Sequence, residues 1–166
     1  MQASTEAPSQ STGSKTIADM AALAADRHRD LIAVRYKREG EWHDVSYAQL
    51  GEIVSETARG LIDLGLQAGE RVALLCTTRV EWSLIDFAIT SAGGVVVPIY
   101  PTNSPDECAW VIGDSESRFV IVEDEVQAAK IAAVRDRLPK LEDVFSIDDF
   151  GALRERGREH DAAELA

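Results

Sequence analysis

Val72-Ala73-Leu74-Leu75-Cys76 is an unbroken apolar run, and three more short, largely apolar runs follow it: Val95-Val96-Val97-Pro98-Ile99, Phe119-Val120-Ile121-Val122 and Val144-Phe145-Ser146-Ile147. Their starts lie 23, 24 and 25 residues apart. Short, mostly β-branched runs that are apolar on both faces read as strands covered on both sides. Between them fall helical patterns at Val80 to Ala92, Asp106 to Gly113 and Val126 to Leu138. Strand and helix alternating at this spacing predict an α/β fold with a mainly parallel, doubly wound sheet. Right-handed crossovers follow from the twist of the strands.

Upstream, Ile32 to Lys37 and Trp42 to Val45 read as two strands joined through Glu39-Gly40, an N-terminal β-hairpin. A helix then runs from Ser46, with Tyr47, Leu50, Val54, Ala58, Leu61 and Ile62 on one face, and Gly65 ends it. Helix starts are marked by capping-box pairs at Thr16/Asp19, Ser46/Gln49, Thr78/Glu81 and Ser104/Glu107, the last with Pro105 at the first helical position. Residues 1–15 are polar and small, a disordered tail without a secretory signal. Residues 16–150 form the folded unit. Residues 151–166 carry few large apolar side chains and are expected to form an exposed, weakly held helix or tail.

The chain has 166 residues, a formal net charge of −12 and 45% hydrophobic residues, enough for one good core. Its sequence pI near 4.6 argues against nucleic acid, which is gripped by clustered Lys and Arg, and against an anionic membrane surface. Two cysteines, Cys76 and Cys108, are too few for a disulfide framework; a reducing, cytoplasmic setting is expected. The 19 residues from Phe87 to Pro105 lack charge, but Gly93-Gly94 and three prolines interrupt them, so no transmembrane segment is expected.

Ligands of open parallel sheets bind outside the carboxyl ends of the strands. Those ends here carry Thr77-Thr78-Arg79, Tyr100-Pro101-Thr102-Asn103-Ser104 and Glu123-Asp124-Glu125. They read either as a polar rim that meets a nucleotide or carboxylate, or as helix caps and loop polars. Glu123 and Asp124 are two carboxylates suited to acid/base work or Mg²⁺, or equally an acidic helix start. His28, His43 and His160 share no ligand spacing, and both cysteines sit in apolar settings. Neither the spaced-glycine dinucleotide fingerprint nor a phosphate-gripping loop after a strand is present.

A resemblance narrows this. Gly69-Glu70-Arg71-Val72-Ala73-Leu74-Leu75, then Glu81-Trp82, Asp86-Phe87-Ala88, Ala92-Gly93-Gly94-Val95-Val96-Val97-Pro98-Ile99-Tyr100-Pro101-Thr102, Glu107 and Asp114-Ser115-Glu116 occur in one order. That order resembles the amino-terminal part of AMP-forming acyl-CoA synthetases, above all bacterial long-chain fatty-acid–CoA ligases. Trp42 and Val45-Ser46-Tyr47 are similar to the start of the same domain. The resemblance implies a partial large domain of the adenylate-forming enzyme fold. The reaction it implies joins a fatty acid to AMP from ATP, releasing pyrophosphate, before coenzyme A displaces the AMP. ATP, Mg²⁺ and CoA are the implied cofactors and substrates.

The chain departs from that family in one large respect. The Ser/Thr/Gly-rich loop ending in Pro-Lys-Gly, the later nucleotide motifs and the catalytic lysine of the carboxyl-terminal domain have no counterpart here. No catalytic, cofactor-binding or metal residue is therefore carried over. Tyr100, Pro101, Thr102, Asn103 and Ser104 remain as the candidate wall of a cleft. The expectation is an N-terminal ligase fragment, inactive alone, binding no cofactor tightly, whose partner is the remainder of the enzyme. A stand-alone non-catalytic α/β binding module and a fragment acting on another carboxylate stay open as alternatives.

Overall fold

The computed structural model describes residues 12–160. The predicted tail, residues 1–15, falls largely outside them. Helix α1, Ile17–His28, opens with a complete capping box between Thr16 and Asp19. Strands β1, Ile32–Arg38, and β2, Glu41–Ser46, pair antiparallel as a separate two-stranded sheet. Their turn places Glu39 at φ 52° and Gly40 at φ 87°, both in the left-handed region that matches the hairpin twist. Helix α2, Tyr47–Asp63, has its capping box at Ser46 and Gln49. It ends as expected: Gly65 at φ 93° lets the N–H groups of Gly65 and Leu66 reach back to the carbonyls of Ile62 and Leu61.

From there the chain alternates as the spacing predicts. Strand β3 (Arg71–Leu75), helix α3 (Val80–Ser91), strand β4 (Val95–Ile99), helix α4 (Pro105–Asp114), strand β5 (Phe119–Val122), helix α5 (Glu125–Ala132) and strand β6 (Asp143–Ser146) follow in order. The four strands form one parallel sheet in the order β4-β3-β5-β6. Alternation along β3 and β5 splits the core between the two faces. Ala73, Leu75, Val120 and Val122 meet Cys108, Ile112 and Ile131 on the side of α4 and α5. Val72, Leu74, Phe119 and Ile121 meet Leu61, Ile85 and Ile89 on the side of α2 and α3. A smaller cluster of Ala21, Leu50, Val54 and Leu84 fastens α1 and the hairpin to that second layer.

Three local expectations need correction. The Thr78/Glu81 pair does not cap α3; the N-cap residue is Arg79, whose guanidinium only donates and so makes no side-chain cap bond, and Glu81 binds two arginines instead. The fifth helix stops at Ala132 and a separate 3₁₀ turn follows at Arg135–Arg137, just before Pro139, rather than one helix reaching Leu138. The end of the chain is not loosely held over its described part. Helix α6, Phe150–Glu159, lies across α2 with Leu153 and Gly157 buried. A methyl group on Gly157 would stand 1.7 Å from the Glu56 carbonyl oxygen, and one on Gly60 would stand 2.1 Å from that of Leu153. The helices touch backbone to backbone, which only glycine permits.

Both sheet edges are blunted by local chemistry. Val95 donates inward to the Glu70 carbonyl, so alternation turns the nitrogen of Pro98 outward, where it offers no donor. On β6 the N–H groups of Val144 and Ser146 are met by the carboxylates of Asp143 and Asp149, at 2.8 and 3.1 Å. Proline and inward-turned charge are the devices that keep edges from pairing with other chains.

Candidate functional site

Because the strands are parallel, the turns after β3, β4 and β5 gather at one end of the sheet. The first and third turns are tied together. The Glu123 carboxylate accepts from the Thr77 N–H at 2.8 Å and its hydroxyl at 2.6 Å, with the Arg79 guanidinium 3.7 Å away. Arg79 also binds Glu81 at 2.7 Å, and Arg38 of the hairpin closes on the same carboxylate. Burial, the largest influence on Glu81, works to raise its pKa. Arg79, its own backbone N–H and Arg38 outweigh this and bring the carboxyl down to about 2.

The two adjacent carboxylates thus have separate duties. Glu123 fastens the β3–α3 turn, while Asp124 caps α5 through the Gln127 N–H at 2.9 Å. They do not form a paired acid and base. Among the described residues no group of three His, Cys, Asp or Glu could hold a metal ion, and Glu123 is already engaged by the donors of Thr77.

The middle turn is the candidate wall, Tyr100 to Ser104. Asn103 closes it with an N–H to the Tyr100 carbonyl at 3.0 Å, and Ser104 caps α4 by a reciprocal pair with Glu107. Its clamp comes from 27 and 29 residues later in sequence: the Lys130 ammonium donates to the carbonyls of Asn103 at 2.9 Å and Pro101 at 2.5 Å. Tyr100 stands 78% exposed beyond this clamp, and Val126, one helical turn before Lys130, is also exposed. Gln127 is buried with its side-chain oxygen unpartnered. The loop is therefore rigid at its backbone and open at its side chains, which suits recognition rather than bond-making.

Sequence reading found the loop but missed Lys130 and Arg38, because each reaches the site through tertiary packing that local spacing does not record. The remaining candidates stay apart. His28 packs on Tyr47, His43 stacks on Tyr36 at 5.3 Å, and His160 lies 3.6 Å from Asp63. Cys76 and Cys108 are both buried; burial first, then Glu123, pushes the Cys76 thiol up to about 12. Neither is a nucleophile near neutral pH.

Residues 22–165 match the model of the AMP-binding enzyme family. The chain belongs to this family. Over 155 residues it is 38% identical to the long-chain-fatty-acid–CoA ligase FadD15 of Mycobacterium bovis, covering 89% of this chain and 26% of that protein. It is 31% identical over 140 residues to the long-chain-fatty-acid–CoA ligase ACSBG1 of Bos taurus, covering 84% of this chain and 19% of that one. Among solved structures, the N-terminal domain of FACL13 from Mycobacterium tuberculosis superposes with a TM-score of 0.77 at 29% identity, over 92% of this chain and 38% of that one. The fold is that of the N-terminal domain of adenylate-forming enzymes, and the chain spans about a quarter of the length of the curated mycobacterial relative. No helix among the described residues is long and apolar enough to cross a membrane.

Proposed function

We propose that this AMP-binding family chain serves as the N-terminal scaffold of a long-chain fatty-acid–CoA ligase and has no ligase activity by itself. The observation that carries this is the coverage: nearly the whole chain aligns with about a quarter of proteins named as such ligases. In this role the chain's own residues position rather than react. Lys130 fixes the Tyr100–Ser104 turn, Glu123 and Arg79 fix its neighbour, and the exposed Tyr100 and Thr102 side chains form one wall of the cleft. ATP, Mg²⁺, CoA and the fatty acid are ligands of the assembled enzyme, and none binds tightly to this chain alone. Cytoplasmic placement accords with the two free, buried cysteines.

The test is ATP–pyrophosphate exchange with palmitate, first with the purified chain and then with the complementary remainder of a long-chain ligase added in trans. The expected result is background exchange alone and fatty-acid-dependent exchange on mixing. Fatty-acid-dependent exchange by the chain alone overturns the reading. A second reading, a stand-alone binding module, is favoured by the blunted sheet edges, where Pro98 removes a donor of β4 and carboxylates meet the Val144 and Ser146 N–H groups of β6. Cooperative unfolding of a monomer, with no rescue in trans, would support it.

A further inference from the structure

On the face of the sheet opposite α4 and α5, well away from the Tyr100 turn, lies an apolar cavity of about 170 Å³. Its walls are Leu64, Ile85, Ile121, Phe145, Phe150 and Leu153. The gap has a packing cause. The Gly157–Glu56 and Gly60–Leu153 contacts draw α6 tightly onto α2, and the small Ala152 leaves the space beside β6 unfilled. Enclosed apolar cavities of about 150 Å³ lined by Leu, Ile and Phe admit benzene-sized guests, and this pocket, open on one side, offers similar room.

The mouth selects among such guests. Arg156 stands there, but Asp63 holds it at 2.6 Å, and Asp149 is a second carboxylate at the rim. The local balance is one positive charge against two negative, on a protein of net charge −12. An anionic head group would be repelled, whereas a neutral one would not. We propose that this cavity is a binding site for an uncharged apolar group of about six carbons, an aromatic ring or short alkyl chain. It is separate from the cleft wall and independent of the ligase reading.

The test uses the full 166-residue chain with benzene, cyclohexane and hexanoate as probes. Benzene at about ten times its dissociation constant should raise Tm by about 3 °C. Intermolecular NMR contacts should fall on the methyl groups of Ile85, Ile121 and Leu153. Leu64→Phe and Ala152→Leu, each checked for folding by circular dichroism, should reduce the benzene shift at least threefold. Hexanoate should bind at least tenfold more weakly than benzene. No benzene shift, contacts to other methyl groups, or an undiminished shift in both folded variants would overturn the site. Hexanoate matching benzene would overturn its chemical class. Sedimentation showing a dimer that buries these methyl groups would assign the cavity to a second copy and overturn the proposal as well.

Discussion

The α2–α6 seam and the Tyr100–Ser104 turn invert what their compositions suggest. Helix α6 is rich in arginine and glutamate, yet its face is sealed against α2. The turn follows the apolar run Val95 to Ile99, yet Tyr100 is open to solvent. The difference lies in what each backbone can approach. Gly60 and Gly157 let two helices meet at main-chain distance, and Glu56, with its side chain 6% exposed, then binds Arg154 and Arg158 across the contact. At the turn, β4 is an edge strand, so among the described residues no further strand pairs beyond it. Charge placed at a glycine crossing can be buried, whereas an aromatic ring that follows an edge strand can stay exposed.

Gly157→Ala should break the comparison most strongly. The added methyl group meets backbone at Glu56 and Gly60, not a side chain that could turn aside. Urea denaturation should show a loss of about 3 kcal/mol, as for severe overpacking. Hydrogen exchange should place the loss in α6 and the facing turns of α2. A change under 1 kcal/mol would mean that the helices part without cost and that the seam is not tight.

Glu56→Gln tests the electrostatic half of the seam. Breaking a buried pair costs about 3–5 kcal/mol, but Arg158 is half exposed, so about 2 kcal/mol is expected. The pH dependence has a definite sign. Burial opposes the Glu56 charge, yet Arg158 and Arg154 hold its folded pKa below the ordinary 4.5. Stability from this group is present above 4.5 and is lost as pH falls through the lower folded value. Glu81 behaves alike, between 4.5 and about 2. Stability of the wild-type chain should therefore fall as pH drops below 4.5, and Glu56→Gln should flatten part of that fall. An unchanged acid profile in the variant would sink the assignment.

Much of the fold was legible because it rests on periodic burial. The runs at Val72, Val95, Phe119 and Val144 lie in the four parallel strands, and Ser46 and Gly65 bound α2 as their chemistry requires. What was hidden depends on long-range partners. Thr78 and Glu81 have capping-box spacing, but Arg38, over 40 residues away, helps claim the carboxylate. Gly157 looks like an ordinary helix weakness until Glu56 is seen against it. In the candidate site the turn was readable from its place after β4, whereas Lys130 was one unremarked lysine in a helix.

Lys130→Met addresses the clamp on the other side of the comparison. Two charge-assisted bonds to carbonyls are lost, but at a partly solvated position where water replaces them, so the expected cost is about 1 kcal/mol. The Asn103 amide, bonded to the Tyr100 carbonyl, should exchange about five times faster, the factor that energy implies. Unchanged exchange at Asn103 would show that the turn orders itself without the clamp.

Tyr100→Ser should have the smallest effect on stability and is the sharpest test of the contrast. A side chain 78% exposed loses almost no burial when shortened. Exposed substitutions away from caps and ion pairs usually change stability by less than about 0.5 kcal/mol. The Tyr100 carbonyl, which accepts from Asn103, is main chain and survives the change, as do the bonds from Lys130 to Pro101 and Asn103. The folded state should therefore be indistinguishable in urea titration from that of the wild type. If the residue is part of a cleft wall, its effect belongs to the assembled ligase, as a weakened KM for acyl substrate or CoA in the trans-complemented assay. A loss above 1 kcal/mol in the isolated chain would instead show that Tyr100 packs against something in solution. The turn would then be a second buried seam rather than the open counterpart of α2–α6.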